Sequence, residues 1–122
     1  EVYLNRAECY ARKYLEEGND AYRQASLADL NHLRKSRYNK AYTYVDVDIA
    51  DGNELLEFCL EERRKELCGE TNHRWCDLRR LGITVTHFLK EAEETHTKDM
   101  TFYALPIPDE ILRVDPTLRQ NE

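Results

Sequence analysis

The stretch from Val2 to Arg37, VYLNRAECYARKYLEEGNDAYRQASLADLNHLRKSR, decides the fold. Tyr3, Ala7, Tyr10 and Tyr14 recur at i, i+4, i+7 and i+11, and Leu4, Ala11 and Leu15 widen the stripe. That spacing is the helical period, so residues 2–17 read as an amphipathic helix. Gly18-Asn19-Asp20 stops it, because Gly and Asn tolerate the left-handed conformation at a helix end, and Asp20 can cap the next helix. Residues 21–37 read as that second helix, with Ala21, Ala25 and Ala28 in a row beside Leu27, Leu30 and Leu33. A turn this short forces the two helices antiparallel, and the small-residue row is expected to let them approach closely. The unit is similar to one hairpin of a tetratricopeptide array, whose repeat is about 34 residues. One hairpin cannot bury its own face and needs neighbours.

Beyond the hairpin the pattern breaks. Tyr38, Tyr42 and Tyr44 lie in residues 38–52, followed by Val45, Val47 and Ile49 alternating with Asp46 and Asp48. This reads as an ordered loop with a short extended stretch, closed by the turn signal Asp51-Gly52. Residues 53–68 form a third helix with Leu56, Cys59, Leu60, Arg63 and Leu67 on one face, Asn53 as N-cap and Gly69 as its end. A shorter helix spans 72–81, with Trp75, Leu78 and Leu81 at i, i+3 and i+6 and Gly82 closing it. Residues 83–105 are less regular: Glu91 to Asp99 reads as an exposed polar loop, and Met100 to Leu105 as a short extended segment. Pro106-Ile107-Pro108 cannot continue a helix; Asp109 to Leu112 makes one helical turn, and Asp115 to Glu122 an irregular tail. The fold class is therefore mainly α: helical hairpins followed by an irregular C-terminal segment.

The chain has 122 residues, room for one domain or a piece of one. Its helical pattern is already running at Glu1, so we expect a fragment of a longer chain. No secretory apolar region and no run long enough to cross a bilayer is present, which puts any export signal upstream. Lys and Arg total 18 against 24 Asp and Glu, a net charge of −6, and Arg63-Arg64-Lys65 and Arg79-Arg80 sit beside acids. A nucleic-acid binder would need a clean basic face to neutralise phosphates. Cys9, Cys59, Cys68 and Cys76 form no C-x-x-C and no zinc spacing, even with His73 between the last two. Three of them fall inside helical patterns, where Cys is expected to act as a small buried apolar residue.

The densest stretch is Glu61 to Gly82. Arg63 stands on the apolar face of its helix, and a guanidinium there must be paired, since burying a lone charge costs several kcal/mol. Glu66, Glu70 and Asp77 are its expected partners, and with Arg74 they complete a structural ion-pair network. Arg suits such a place because its planar fork matches a carboxylate. Glu62, Glu66, Glu70 and Asp77 could suggest glycosidase-like carboxylates. Each, however, has an Arg or Lys within reach, which lowers a carboxylate's pKa and spoils it as a general acid. His73 has no Ser or Cys nucleophile motif beside it, and no phosphate loop, dinucleotide glycine motif or H-E-x-x-H occurs. No catalytic residue, cofactor or metal site is expected.

Five blocks in order resemble the C-terminal region of SusD/RagB proteins. They are Val2-Tyr3-Leu4-Asn5-Arg6-Ala7-Glu8, then Ala28-Asp29-Leu30-Asn31-His32-Leu33-Arg34, then Glu62-Arg63-Arg64-Lys65-Glu66-Leu67 running to His73-Arg74-Trp75-Cys76-Asp77-Leu78-Arg79-Arg80. Leu105-Pro106-Ile107-Pro108-Asp109-Glu110-Ile111 and Pro116-Thr117-Leu118-Arg119-Gln120-Asn121 complete the order. Gly69 and Thr71-Asn72 depart from the aromatic and single Gly of many members, and Cys76 stands where an aromatic is common. The resemblance implies a mostly helical protein with tetratricopeptide-like hairpins. It further implies a lipoprotein on the outer membrane of Bacteroidetes-type bacteria, one that binds glycans and caps a TonB-dependent SusC-like transporter. In that family the hairpins contact the transporter, and the glycan platform lies mainly outside the matched blocks.

Within this chain the expected ligand contacts are Tyr38, Tyr42 and Tyr44, since aromatic faces stack on sugar rings and loops can present them. The competing reading has these tyrosines anchoring the loop onto the helices, rings packed and hydroxyls wet. For the whole protein the alternative is a helical protein-interaction module without glycan binding.

Overall fold

A computed structural model describes residues 1–70, 72–83, 85–89, 92–96 and 105–120. Five helices and one two-stranded ribbon make up the described architecture: α1 Val2–Glu17, α2 Asp20–Arg37, α3 Gly52–Glu66, α4 His73–Leu81, β1 Val85–Leu89, β2 Ala92–His96 and α5 Asp109–Val114. The chain is mainly α. It divides into two units, Glu1–Glu70 and Thr71–Glu122.

In the first unit α1 packs against both α2 and α3. Gly18 ends α1 at φ 66°, its N–H donating to the Tyr14 carbonyl at 2.8 Å. Only a residue without Cβ enters this left-handed conformation without strain. Asn19, one residue before Asp20, caps α2 by accepting from the Ala21 N–H at 3.0 Å. Asp20 instead opens the helix and binds Arg23 Nε at 2.6 Å.

The core is Leu4, Ala7 and Ala11 of α1, Leu27 and Leu30 of α2, and Leu55 and Cys59 of α3. The buried stripe of α1 is thus rotated from the expected one: Leu4, Ala7, Glu8 and Ala11 are buried, while Tyr3 and Leu15 are about two-fifths exposed. The close approach also uses different residues. Ala21 and Ala28 face solvent. Ala7, Ala11 and Ser26 are fully buried instead, and the Ser26 hydroxyl donates to the Ala7 carbonyl at 2.9 Å. A buried hydroxyl needs such a partner, and a main-chain carbonyl one helix away supplies it only where small side chains bring the helices together. On α3 the fully buried position is Leu55, with Leu56 packed at the core's edge and Leu60 half-buried. Its N-cap is Asp51, not Asn53: the Asp51 carboxylate accepts from the N–H groups of Asn53 and Glu54, both at 2.9 Å. Of the four cysteines Cys59 is buried and Cys9, Cys68 and Cys76 are exposed, against the expectation of buried small residues.

In the second unit α4 ends at Gly82, whose φ is 62°. β1 and β2 then pair antiparallel from Val85 opposite His96 to Leu89 opposite Ala92. Residues 92–96, expected in a polar loop, are a strand: paired backbone groups satisfy one another whatever the side chains' polarity. The extended segment expected over 100–105 lies outside the described residues except for Leu105. α5 runs two residues past the expected turn. The segment before α5 is held by Gln120, whose side-chain amide donates to the Ile107 carbonyl at 3.0 Å and accepts from the Ile107 N–H at 2.7 Å.

Candidate functional site

The loop between α2 and α3 is ordered by side chains rather than by secondary structure. Asn31 of α2 is its anchor. Its amide nitrogen donates to the Val47 carbonyl at 2.9 Å, and its oxygen accepts from the Val47 N–H at 2.8 Å and the Tyr44 hydroxyl at 2.7 Å. Further along, Arg23 donates to Asp48 at 2.6 Å and to the Ile49 carbonyl at 3.2 Å, and the Tyr14 hydroxyl donates to the Ala50 carbonyl at 2.9 Å. Two helices therefore hold the segment 44–50.

This attachment leaves a groove of about 450 Å³ between α2 and the loop. Gln24, His32 and Lys35 line it from the helix, and Asp46 and Asp48 from the loop. Leu27, Ala28 and Val47 give it an apolar part. The His32 ring is tilted by 35° against Tyr3, with centroids 4.7 Å apart. Asp48 is taken by Arg23, but Lys35 and Asp46 make no ion pair among the described residues.

The three loop tyrosines are not gathered into one platform. Tyr44 is half-buried, bonded to Asn31 and edge-on to Tyr38 at 5.2 Å between centroids. Tyr38 borders a smaller hollow of about 260 Å³ with Leu33, Arg34, Arg37, Glu62 and Glu66. Tyr42 is 69% exposed. The sequence points to the aromatic rings, and the groove begins two residues past Tyr44. The signal for it is the alternation Val45 to Ile49, which marks an extended wall.

Arg63, Glu66 and Asp77 of the expected ion-pair network each have a side-chain partner. Arg63 is buried, and its Nη1 donates to Asn5 Oδ1 at 2.6 Å. Glu66 is bound by Arg37 of α2, whose pKa is raised by this carboxylate. Asp77 is buried and accepts from Arg80 Nε at 2.8 Å. Glu70 and Arg74 are exposed, and neither shows an ion pair among the described residues. Elsewhere arginine forks tie the helices: Arg6 binds both oxygens of buried Asp29 at 2.6 and 2.7 Å, and Arg34 binds Glu62 at 2.7 Å. The bidentate Arg6–Asp29 pair holds the Arg6 guanidinium firmly protonated.

Two features bear on chemistry. The Cys59 thiol sits in the core beside Ser26 at 3.5 Å, and burial pushes its pKa up to about 11. A thiol so held is not a nucleophile at neutral pH. No metal-binding cluster of His, Cys, Asp and Glu occurs among the described residues, and none of their helices is long and apolar enough to cross a membrane.

Fold and site together define a helical-hairpin scaffold, tied by arginine–carboxylate pairs and carrying an ordered polar groove. The SusD family model matches residues 1–122, and the chain belongs to that family. No curated protein and no solved structure matches it. The SusD family is one of glycan-binding, nutrient-uptake lipoproteins of the outer-membrane surface, not known as enzymes.

Proposed function

We propose that this chain is the scaffold portion of a surface glycan-binding protein that delivers oligosaccharides or other nutrients to a TonB-dependent SusC-like transporter. The observation that carries the reading is the family match over the whole chain, joined to the character of the first unit. That unit is built for rigidity. Three helices share a core, arginines bridge them, and the interhelical loop is fixed at Asn31 and Arg23. A rigid helical support suits a protein that must sit on a partner while holding ligand in a fixed place, since pre-organised surfaces bind without a further ordering cost. Neither Cys59, raised well above neutrality, nor the arginine-bound carboxylates offer a nucleophile or a general acid, which favours binding over catalysis.

Calorimetry of the protein against a polysaccharide panel, with co-purification of the transporter from the outer membrane, tests this reading. Binding to at least one polysaccharide and recovery of a β-barrel transporter are expected. Recovery from the cytosol with no polysaccharide bound would replace it with the interaction-module reading.

A further inference from the structure

We infer that the groove between α2 and residues 46–48 is a subsite for a short neutral oligosaccharide, on the scaffold itself. The inference rests on the glycan-binding reading and adds a place and residues to it. The groove's volume of about 450 Å³ lies within the range of small-molecule sites, roughly 300–1,000 Å³.

Its walls are already fixed. Asn31 ties both the N–H and the carbonyl of Val47, and Tyr44 shares the same amide oxygen, so the loop wall needs no ordering when a ligand arrives. His32 is likewise held against Tyr3.

The groups left over define the ligand. The arginines that bridge the helices of the first unit, Arg6, Arg34 and Arg37, are taken up by carboxylates. In this groove Lys35 and Asp46 carry opposite charges on facing elements, and neither is engaged by another described residue. His32 makes no hydrogen bond among the described residues, and Gln24 makes only a long one of 3.4 Å to Asp20. A phosphate would meet one ammonium opposed by the Asp46 carboxylate, and a cation would meet Lys35. A neutral polyol meets neither objection. Each hydroxyl both donates and accepts, so it can accept from Lys35 and donate to Asp46. The C–H face of a sugar ring suits Leu27, Ala28 and Val47 between them.

The test uses two-dimensional NMR and calorimetry on the protein with linear gluco-, manno- and galacto-oligosaccharides of several residues as probes. Shift changes confined to Gln24, Asn31, His32 and residues 46–48 are expected. Lys35→Ala and Asp46→Ala should each weaken binding about tenfold, with helicity by circular dichroism unchanged because both side chains are exposed. Binding with unchanged affinity in both variants, or shifts that map elsewhere, overturns the groove assignment and leaves the glycan reading standing. No binding of any probe overturns the groove assignment, and the polysaccharide panel with co-purification of the transporter decides the glycan reading separately. Shifts produced by a zwitterionic tripeptide and not by the sugars overturn the saccharide assignment.

Discussion

Asn31 lies two-thirds of the way along α2 with its side-chain amide turned to the loop rather than to solvent. Its oxygen accepts two hydrogen bonds and its nitrogen donates one, all between 2.7 and 2.9 Å. Asn31→Ala removes these partners from Val47 and Tyr44 together. A loss of about 1–3 kcal/mol in urea unfolding is expected, since the freed backbone groups stay partly buried. Hydrogen exchange at the Val47 amide should speed up well before that at Leu30. Asn31→Asp keeps the acceptor but loses the donor to the Val47 carbonyl, so its effect should be smaller at Tyr44 than at Val47. Leu55 provides the contrast. It is fully buried where α1 meets α3, and Leu55→Ala should cost about 2–5 kcal/mol because the cavity cannot close around it. Leu56→Ala, one residue on and half-buried, should cost clearly less, which the same unfolding experiment reads.

At the scale of elements, caps decide where helices begin. Asp51→Ala should destabilise by about 1 kcal/mol, because its carboxylate serves two N–H groups of the first turn of α3. Asn53→Ala should be nearly silent, since Asn53 supplies a backbone donor and no cap. Thermal melts of the two variants separate these outcomes. Helices α1 to α4 are legible in the sequence from period and punctuation, and Gly18 and Gly82 act as their glycine signals require. The rotation of each helix is less legible. Tyr and Cys count as apolar in a stripe, yet the packed face of α1 is Leu4, Ala7 and Ala11, because only small side chains admit Ser26 and α2 so close. Ala21 and Ala28 have the right size on the wrong face. The ribbon β1–β2 escapes a sequence reading because its second strand, Ala92-Glu93-Glu94-Thr95-His96, carries no apolar alternation, and pairing with β1 is a partner effect absent from a local window. The candidate groove is hidden for a related reason. It arises where Asn31 and Val47, sixteen residues apart, fix a gap between helix and loop.

For the whole molecule the shifted groups bound the pH range of stability. On the acid side the Asp20 carboxyl is pulled below its ordinary value of 3.8 by the Arg23 guanidinium, and Asp115 by its bonds to Thr117. A lowered folded pKa gives stability that is present above the unfolded value and lost as pH falls through the folded one. On the alkaline side the sign reverses. Cys59 is raised from 9.0 to about 11 by burial, so between these values the unfolded chain releases a proton that the folded chain keeps. Its contribution is complete below about pH 9 and disappears as pH approaches 11. Lys65, raised by Glu61 and Glu62, acts in the same sense at higher pH. Melting temperature should therefore be level from about pH 5 to pH 9 and fall on both sides. For Cys59 the stability at stake is on the order of 2 kcal/mol. Melts followed by circular dichroism from about pH 3 to pH 11 give the curve, and Cys59→Ala should flatten its alkaline limb while lowering the plateau for the lost packing. Asp20→Asn should soften only the acid limb. An alkaline limb of unchanged slope in Cys59→Ala would mean that the fall comes from the surface lysines and tyrosines rather than from the core thiol.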